Sequence, residues 1–229
     1  MKYTITLDSD KLASYEGFVD VCEDDDGKRS FYNMSLNEFI GCLTASQAKN
    51  LGTPSPSLPR NIIRYINRGQ NYDVYIDVPK TQRTILFNGS PFTVGFPRLI
   101  FHFQLTKGSE KEGKFKVVLS RIVATKLPSS KPIEDNTDLF LFPYSHVSGD
   151  LVCMGGNNLP DINSLSKLES LYEIFFRTQW GTDYGANTKL NQDVATLFTD
   201  TFNEKDFDDS VLVSKQKTFG EYLNLEKLN

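Results

Sequence analysis

Between residues 73 and 123 the sequence repeats one habit that leaves few choices of fold: short runs of alternating apolar and polar residues, separated by turns. Asp73 to Val78 puts Val74, Ile76 and Val78 on one face, and Gln82 to Phe87, Arg98 to Leu105 and Lys114 to Val123 follow the same habit. Pro79-Lys80, Asn88-Gly89-Ser90 and Lys107-Gly108-Ser109-Glu110 punctuate these runs at hairpin-like intervals. Parallel neighbours need crossover connections long enough for a helix, and these connections are too short. The expectation is an antiparallel meander.

Beyond residue 160 the period changes. Leu165, Leu168, Leu171, Tyr172, Phe175 and Phe176 recur at helical spacing behind a cap at Asn163 or Ser164, which predicts a helix with one broad apolar face. A second helix is expected from Leu190 to Phe202 with Val194, Leu197 and Phe198 inward, and a third around Phe219 to Leu228. Strands followed by helices give an α+β class: an antiparallel β-meander with C-terminal helices packed on it. Upstream, residues 2–7, 16–22 and 29–34 read as strands, Leu36 to Leu43 as a short helix capped by Ser35, and Glu23-Asp24-Asp25-Asp26 as a solvated hairpin tip. The proline-rich run Thr53-Pro54-Ser55-Pro56-Ser57-Leu58-Pro59 is an irregular connector. It separates an N-terminal β-rich extension, 1–55, from the main domain, 56–229, whose first element is expected to be a short helix from Arg60 to Arg68 with Ile62, Ile63 and Ile66 on one side.

A net charge of -4 removes any general attraction to nucleic-acid backbones, which select clustered Lys and Arg. The longest apolar runs, such as Leu139-Phe140-Leu141-Phe142, fall far short of the ~20 residues that span a bilayer, so no membrane role is expected. The alternating start, Met1 to Asp8, lacks the unbroken apolar stretch of a signal peptide. Cys22, Cys42 and Cys153 are far apart and form no Cys-x-x-Cys pair, which argues against a disulfide framework or a zinc site and for a reducing cytoplasm. With only His102 and His146, a histidine-rich metal centre is hard to build.

The segment Leu139 to Asn158 carries the candidate chemistry. Within it Cys153 is flanked by Gly155-Gly156 and Asn157-Asn158, whereas Cys22 and Cys42 fall in expected strand and helix. Thiolate is the nucleophilic form of cysteine, and nearby donors make it available. At this segment the chain resembles bacterial relatives of ubiquitin-conjugating enzymes, the group that includes protein B of the plasmid-borne PRTRC gene clusters. The resemblance covers roughly residues 56–187. It rests on Val74 to Val78 with Pro79, the Arg83 hairpin, Phe96-Pro97-Arg98-Leu99-Ile100-Phe101, Phe142-Pro143-Tyr144, Gly149 to Gly155 around Cys153, and Phe175-Phe176.

The resemblance implies a ubiquitin-conjugating-like core in which Cys153 accepts a ubiquitin-like modifier from an activating enzyme as a thioester and passes it to an amine, with no cofactor or metal. In the family a His-Pro-Asn turn precedes the cysteine; here Pro143-Tyr144-Ser145 stands in its place, and Gly149 lies one residue farther from the cysteine than usual. The donor or base is therefore open among Ser145, His146 and Asn157. Two other readings remain: a non-catalytic binding module that keeps the conjugating fold within a plasmid, phage or defence system, and a cysteine hydrolase, which lacks an identifiable orienting residue.

Overall fold

The computed structural model describes residues 2–12, 17–47, 56–69, 71–108 and 114–225. The chain divides into two compact units, Met1–Pro54 and Ser55–Asn229. It is mostly β, built of antiparallel sheets, one of them curled into a half-barrel, with few and short helices. None of its described helices is long and apolar enough to cross a membrane.

The first unit holds β1 (Lys2–Thr6), α1 (Ser9–Leu12), β2 (Phe18–Asp25), β3 (Lys28–Ser35) and α2 (Leu36–Gln47). The strands pair antiparallel in the order β1-β2-β3. Asp26 and Gly27, at φ 50° and 86°, make the two-residue turn whose left-handed backbone matches strand twist, and the acidic run is the tip of that hairpin. There the Asp24 carboxylate accepts from the Gly27 amide at 3.1 Å and from Arg29 Nε at 3.0 Å. A reciprocal capping box opens α2: Glu38 Oε2 accepts from the Ser35 amide at 3.1 Å, and Ser35 Oγ accepts from the Glu38 amide at 3.2 Å.

In the second unit the strands are β4 (Ile62–Arg68), β5 (Asn71–Val78), β6 (Thr81–Phe87), β7 (Ser90–Phe96), β8 (Arg98–Lys107), β9 (Phe115–Thr125), β10 (Asp138–Phe140), β11 (Val147–Ser148), β12 (Leu151–Val152), β13 (Gln179–Trp180) and β14 (Ser214–Thr218). The main sheet runs β11-β12-β9-β8-β5-β4, and β10, itself paired to β14, joins the same edge of β9 that carries β12. The expected run of strands is present but does not form one continuous meander. The hairpin of β6 and β7, turned by left-handed Asn88 and Gly89, leaves the main sheet and takes β13 as a parallel neighbour.

Three helical expectations need correction. Ile62–Arg68 is a strand, with a bulge between Ile62 and Arg64. The helix expected after Ser164 is a 3-10 turn, Leu165–Lys167, then α3 (Leu168–Leu171) and α4 (Glu173–Phe176). Lys167 and Tyr172 at the joints keep right-handed backbone with ψ of -19° and -23°, the values of tight 3-10 turns, so the rod is continuous but overwound. The helix expected from Leu190 to Phe202 is only α5 (Val194–Thr196), capped by Asp193, running into a π turn, Leu197–Thr201, closed by a Phe202 amide to Leu197 carbonyl bond of 3.0 Å. The last helix, α6 (Phe219–Leu225), falls within the predicted range, of which 226–228 lie outside the described residues.

Alternation along the central strands sends side chains to two cores. Val74, Ile76, Phe101 and Phe103 pack on one face with Leu168, Phe175, Phe176 and Trp180. Tyr75, Ile100 and Val123 pack on the other with Leu139, Phe219 and Tyr222. Each buried aromatic contributes roughly 2–3 kcal/mol of transfer free energy.

Candidate functional site

Cys153 lies at the foot of a minimal hairpin. Val147 pairs with Val152 and Ser148 with Leu151, and below them the Cys153 amide donates to the His146 carbonyl at 2.8 Å. The turn is Gly149-Asp150, with glycine at φ 65° in the first central position, the slot a type II′ turn reserves for it. Leu151 pairs with Arg121 of β9, which fastens the hairpin to the main sheet. Asp150 tightens the attachment: its carboxylate meets Arg121 Nη1 at 3.3 Å and Lys215 Nζ, from β14, at 3.0 Å. Burial raises the Asp150 carboxyl, but Lys215 first and then Arg121 outweigh it and hold the group below its ordinary value.

The Cys153 side chain is half-buried, and Gly155, Gly156, Asn157 and Asn158 beyond it are exposed. The residue is thus partly open to solvent while its backbone is held in a hydrogen-bonded ladder. The other two cysteines, both in the first unit, are also free thiols, Cys22 half-buried and Cys42 exposed.

The three residues offered by sequence as helpers do not gather around that sulfur. Ser145 is fully buried, and its Oγ has no hydrogen-bond partner among the described residues, so it sits inside the core rather than in the site. His146 is in left-handed backbone, φ 72°, and its ring turns away to place Nε2 3.0 Å from the Gln179 carbonyl. The ring stands edge-on to Trp180 at 4.7 Å between centroids. Burial pushes the imidazole below its ordinary 6.5 against the weaker pull of the Gln179 carbonyl and Asp183, so at neutral pH the ring is uncharged with its hydrogen on Nε2. Asn157 is exposed and bonds back to Met154: its amide at 3.0 Å and its Nδ2 at 2.8 Å both donate to that carbonyl, closing the turn after Cys153.

Cys153 acts on the titration of a residue that the sequence did not single out. The Tyr184 phenol is held above its ordinary 10.0, with Cys153 as the leading cause. Tyr184 is carried by the segment after β13, far from Cys153 along the chain, and no local spacing links the two. Among the described residues no cluster of three or more His, Cys, Asp or Glu is placed to hold a metal ion. What the arrangement offers chemically is one half-buried thiol on a fixed hairpin. Comparison with protein-family models, with curated proteins and with solved structures finds no match to this chain.

Proposed function

We propose that this protein carries a ubiquitin-like modifier as a thioester on Cys153 and transfers it to an amine, on a ubiquitin-conjugating-like core made of the central antiparallel strands, the Cys153 hairpin and the helical rod that follows. The observation that carries the reading is the placement of Cys153: a half-buried residue whose backbone is held by the hairpin, with an exposed glycine pair after it. In the reaction, the Cys153 thiolate attacks the modifier's terminal carbonyl, held as a thioester on an activating enzyme, and that enzyme's thiol leaves. An amine then attacks the new thioester, the C–S bond breaks, the sulfur takes the electron pair, and the nitrogen gives its proton to solvent. Such chemistry needs a reducing compartment such as the cytoplasm, and three free cysteines agree with one.

The test is reconstitution with an activating enzyme and a ubiquitin-like protein encoded beside it. The expected product is an adduct that thiol reagents release, that is lost in Cys153→Ala, and that becomes resistant to thiol reagents, as an oxygen ester, in Cys153→Ser. An adduct that persists in Cys153→Ala overturns the assignment.

A second reading, a binding module without catalysis, is favoured by one feature: Ser145 is sealed in the core and the His146 ring is engaged by a carbonyl, leaving neither beside the thiol as a base. It expects partner binding that is unchanged in Cys153→Ser and no thioester.

A further inference from the structure

In the sheet of the first unit, ordered β1-β2-β3, no strand among the described residues pairs with the outer edge of β1. An open edge is a template for another strand, and proteins guard such edges with proline, bulges or charge. The strand β1 has neither of the first two devices. It contains no proline, and its pairing with β2 runs from Lys2–Asp24 to Thr6–Asp20 without a shift of register. Lys2 is its one charge, and all five of its residues are exposed.

Side chains opposed across antiparallel strands share a face, so Tyr3 and Ile5 lie on the face of Val21 and Tyr32, where they line a cleft with Phe39 and Leu43 of α2. This apolar face reaches the last strand without being closed over: Tyr3, Ile5 and Leu7 are 50%, 38% and 58% exposed.

A second copy of the same strand fits this edge by its charge. When two identical strands pair antiparallel about a two-fold axis, each residue must oppose one on its own face, so only registers that pair odd with odd and even with even numbers are allowed. Centring the axis on Thr4 sets Lys2 against Thr6 and leaves the charge unmatched. Centring it on Ile5 sets Lys2 against Asp8, Tyr3 against Leu7 and Thr4 against Thr6, which matches charge with charge, apolar with apolar and hydroxyl with hydroxyl. Asp8 Oδ1 already accepts from the Asp10 amide at 2.9 Å, which fixes the carboxylate at the end of the strand. The opposite edge, β3, carries Lys28 and Arg29 and no acid, so two copies of it have no such match in any register.

We propose that the protein associates with a second copy of itself through β1, antiparallel and centred on Ile5, to form one six-stranded sheet with α2 of both copies on the same face. The interface is short, and the association is weak and depends on concentration.

Disulfide trapping reads both the contact and its register. In full-length protein with Cys22→Ser, Cys42→Ser and Cys153→Ser, cysteine is placed at Ile5→Cys or at Thr4→Cys and oxidised with copper phenanthroline. Across the axis the two copies of residue 5 stand about 5 Å apart between Cα atoms, within disulfide reach, whereas the two copies of residue 4 are about 8 Å apart and beyond it. The expected result is a covalent dimer from Ile5→Cys and none from Thr4→Cys. Into the Ile5→Cys protein, Lys2→Asp and Asp8→Lys are then introduced separately. Each is expected to slow trapping about fivefold, and a mixture of the two is expected to recover it as a heterodimer resolved by mass, because both cross-strand pairs are then of opposite sign. Mixing alters neither folded chain, so recovery cannot come from repair of a damaged fold. Equal trapping at residues 4 and 5, which is random collision, overturns the proposal, as does a mixture that traps no faster than its components. A chain that is trapped at neither position overturns it too and leaves the edge to a strand of a different protein.

Discussion

At His146 the nitrogen facing the Gln179 carbonyl keeps its hydrogen, and burial against Trp180 disfavours a second proton on the ring. The folded imidazole therefore titrates below its ordinary 6.5, while the unfolded one titrates near it. Between those values the unfolded chain binds more protons, so stability is whole above the unfolded value and is lost as pH falls through the folded one. The melting temperature of the protein is expected to decline from pH 7 to pH 5, and His146→Asn, which tolerates the left-handed backbone and keeps a donor, is expected to flatten that decline; an equal slope in both proteins rejects the account. Ser145 stands where the resemblance puts the turn's asparagine, His146 is a proton carrier near neutral pH and Asn157 is an amide near Cys153 in sequence, but none of these grounds sets a direction in space. The left-handed step at His146 sends successive side chains in directions that no periodicity encodes, Ser145 into the core and the His146 ring toward β13.

Among the elements, β5, β8 and β9 were legible because alternation with a two-residue period is the direct imprint of a strand between two packed faces. The strand β4 was misread for a physical reason. Its bulge between Ile62 and Arg64 adds one residue, so Ile62 and Tyr65 share one face while Ile63 and Ile66 pack on the other. Residues three apart on one face look helical in sequence. The single helix expected after Ser164 breaks into a 3-10 turn and two short helices because apolar spacing marks the face that meets the core but does not distinguish three-residue from four-residue hydrogen bonding. For the Cys153 hairpin, whose two rungs are too few to stand alone, the charged tether matters more than propensity. Lys215→Ala leaves the largely buried Asp150 with only Arg121, and is expected to cost about 1–2 kcal/mol at pH 7 by thermal or urea unfolding. Because the Asp150 carboxyl is depressed from 3.8, the tether stabilises above that value and is lost as pH falls through the folded one. The gap between the two proteins should therefore close below about pH 4; a gap that persists there means that packing of the lysine stem, not charge, was responsible.

On the scale of the whole chain the proline-rich stretch before residue 60 was a readable boundary, and the contacts divide the chain at Pro54 and Ser55. The unit Met1–Pro54 buries few large side chains, Val19 and Val21 among its described residues, whereas Ser55–Asn229 closes two cores on one sheet. A unit of that size buries only about 60% of its unfolded surface and is marginal. Scanning calorimetry is expected to resolve a small transition before the main one, and a single cooperative peak contradicts independent units. What sequence cannot convey at this scale is distance along the chain turned into contact, and Lys215 is the sharpest case. Its bond to Asp150 joins the thiol-bearing hairpin to a strand translated long after it. A polypeptide still emerging from the ribosome thus presents Cys153 before the lysine anchor of its loop exists, and a product cut short ahead of β14 keeps the sulfur but has only the arginine half of the charged fastening.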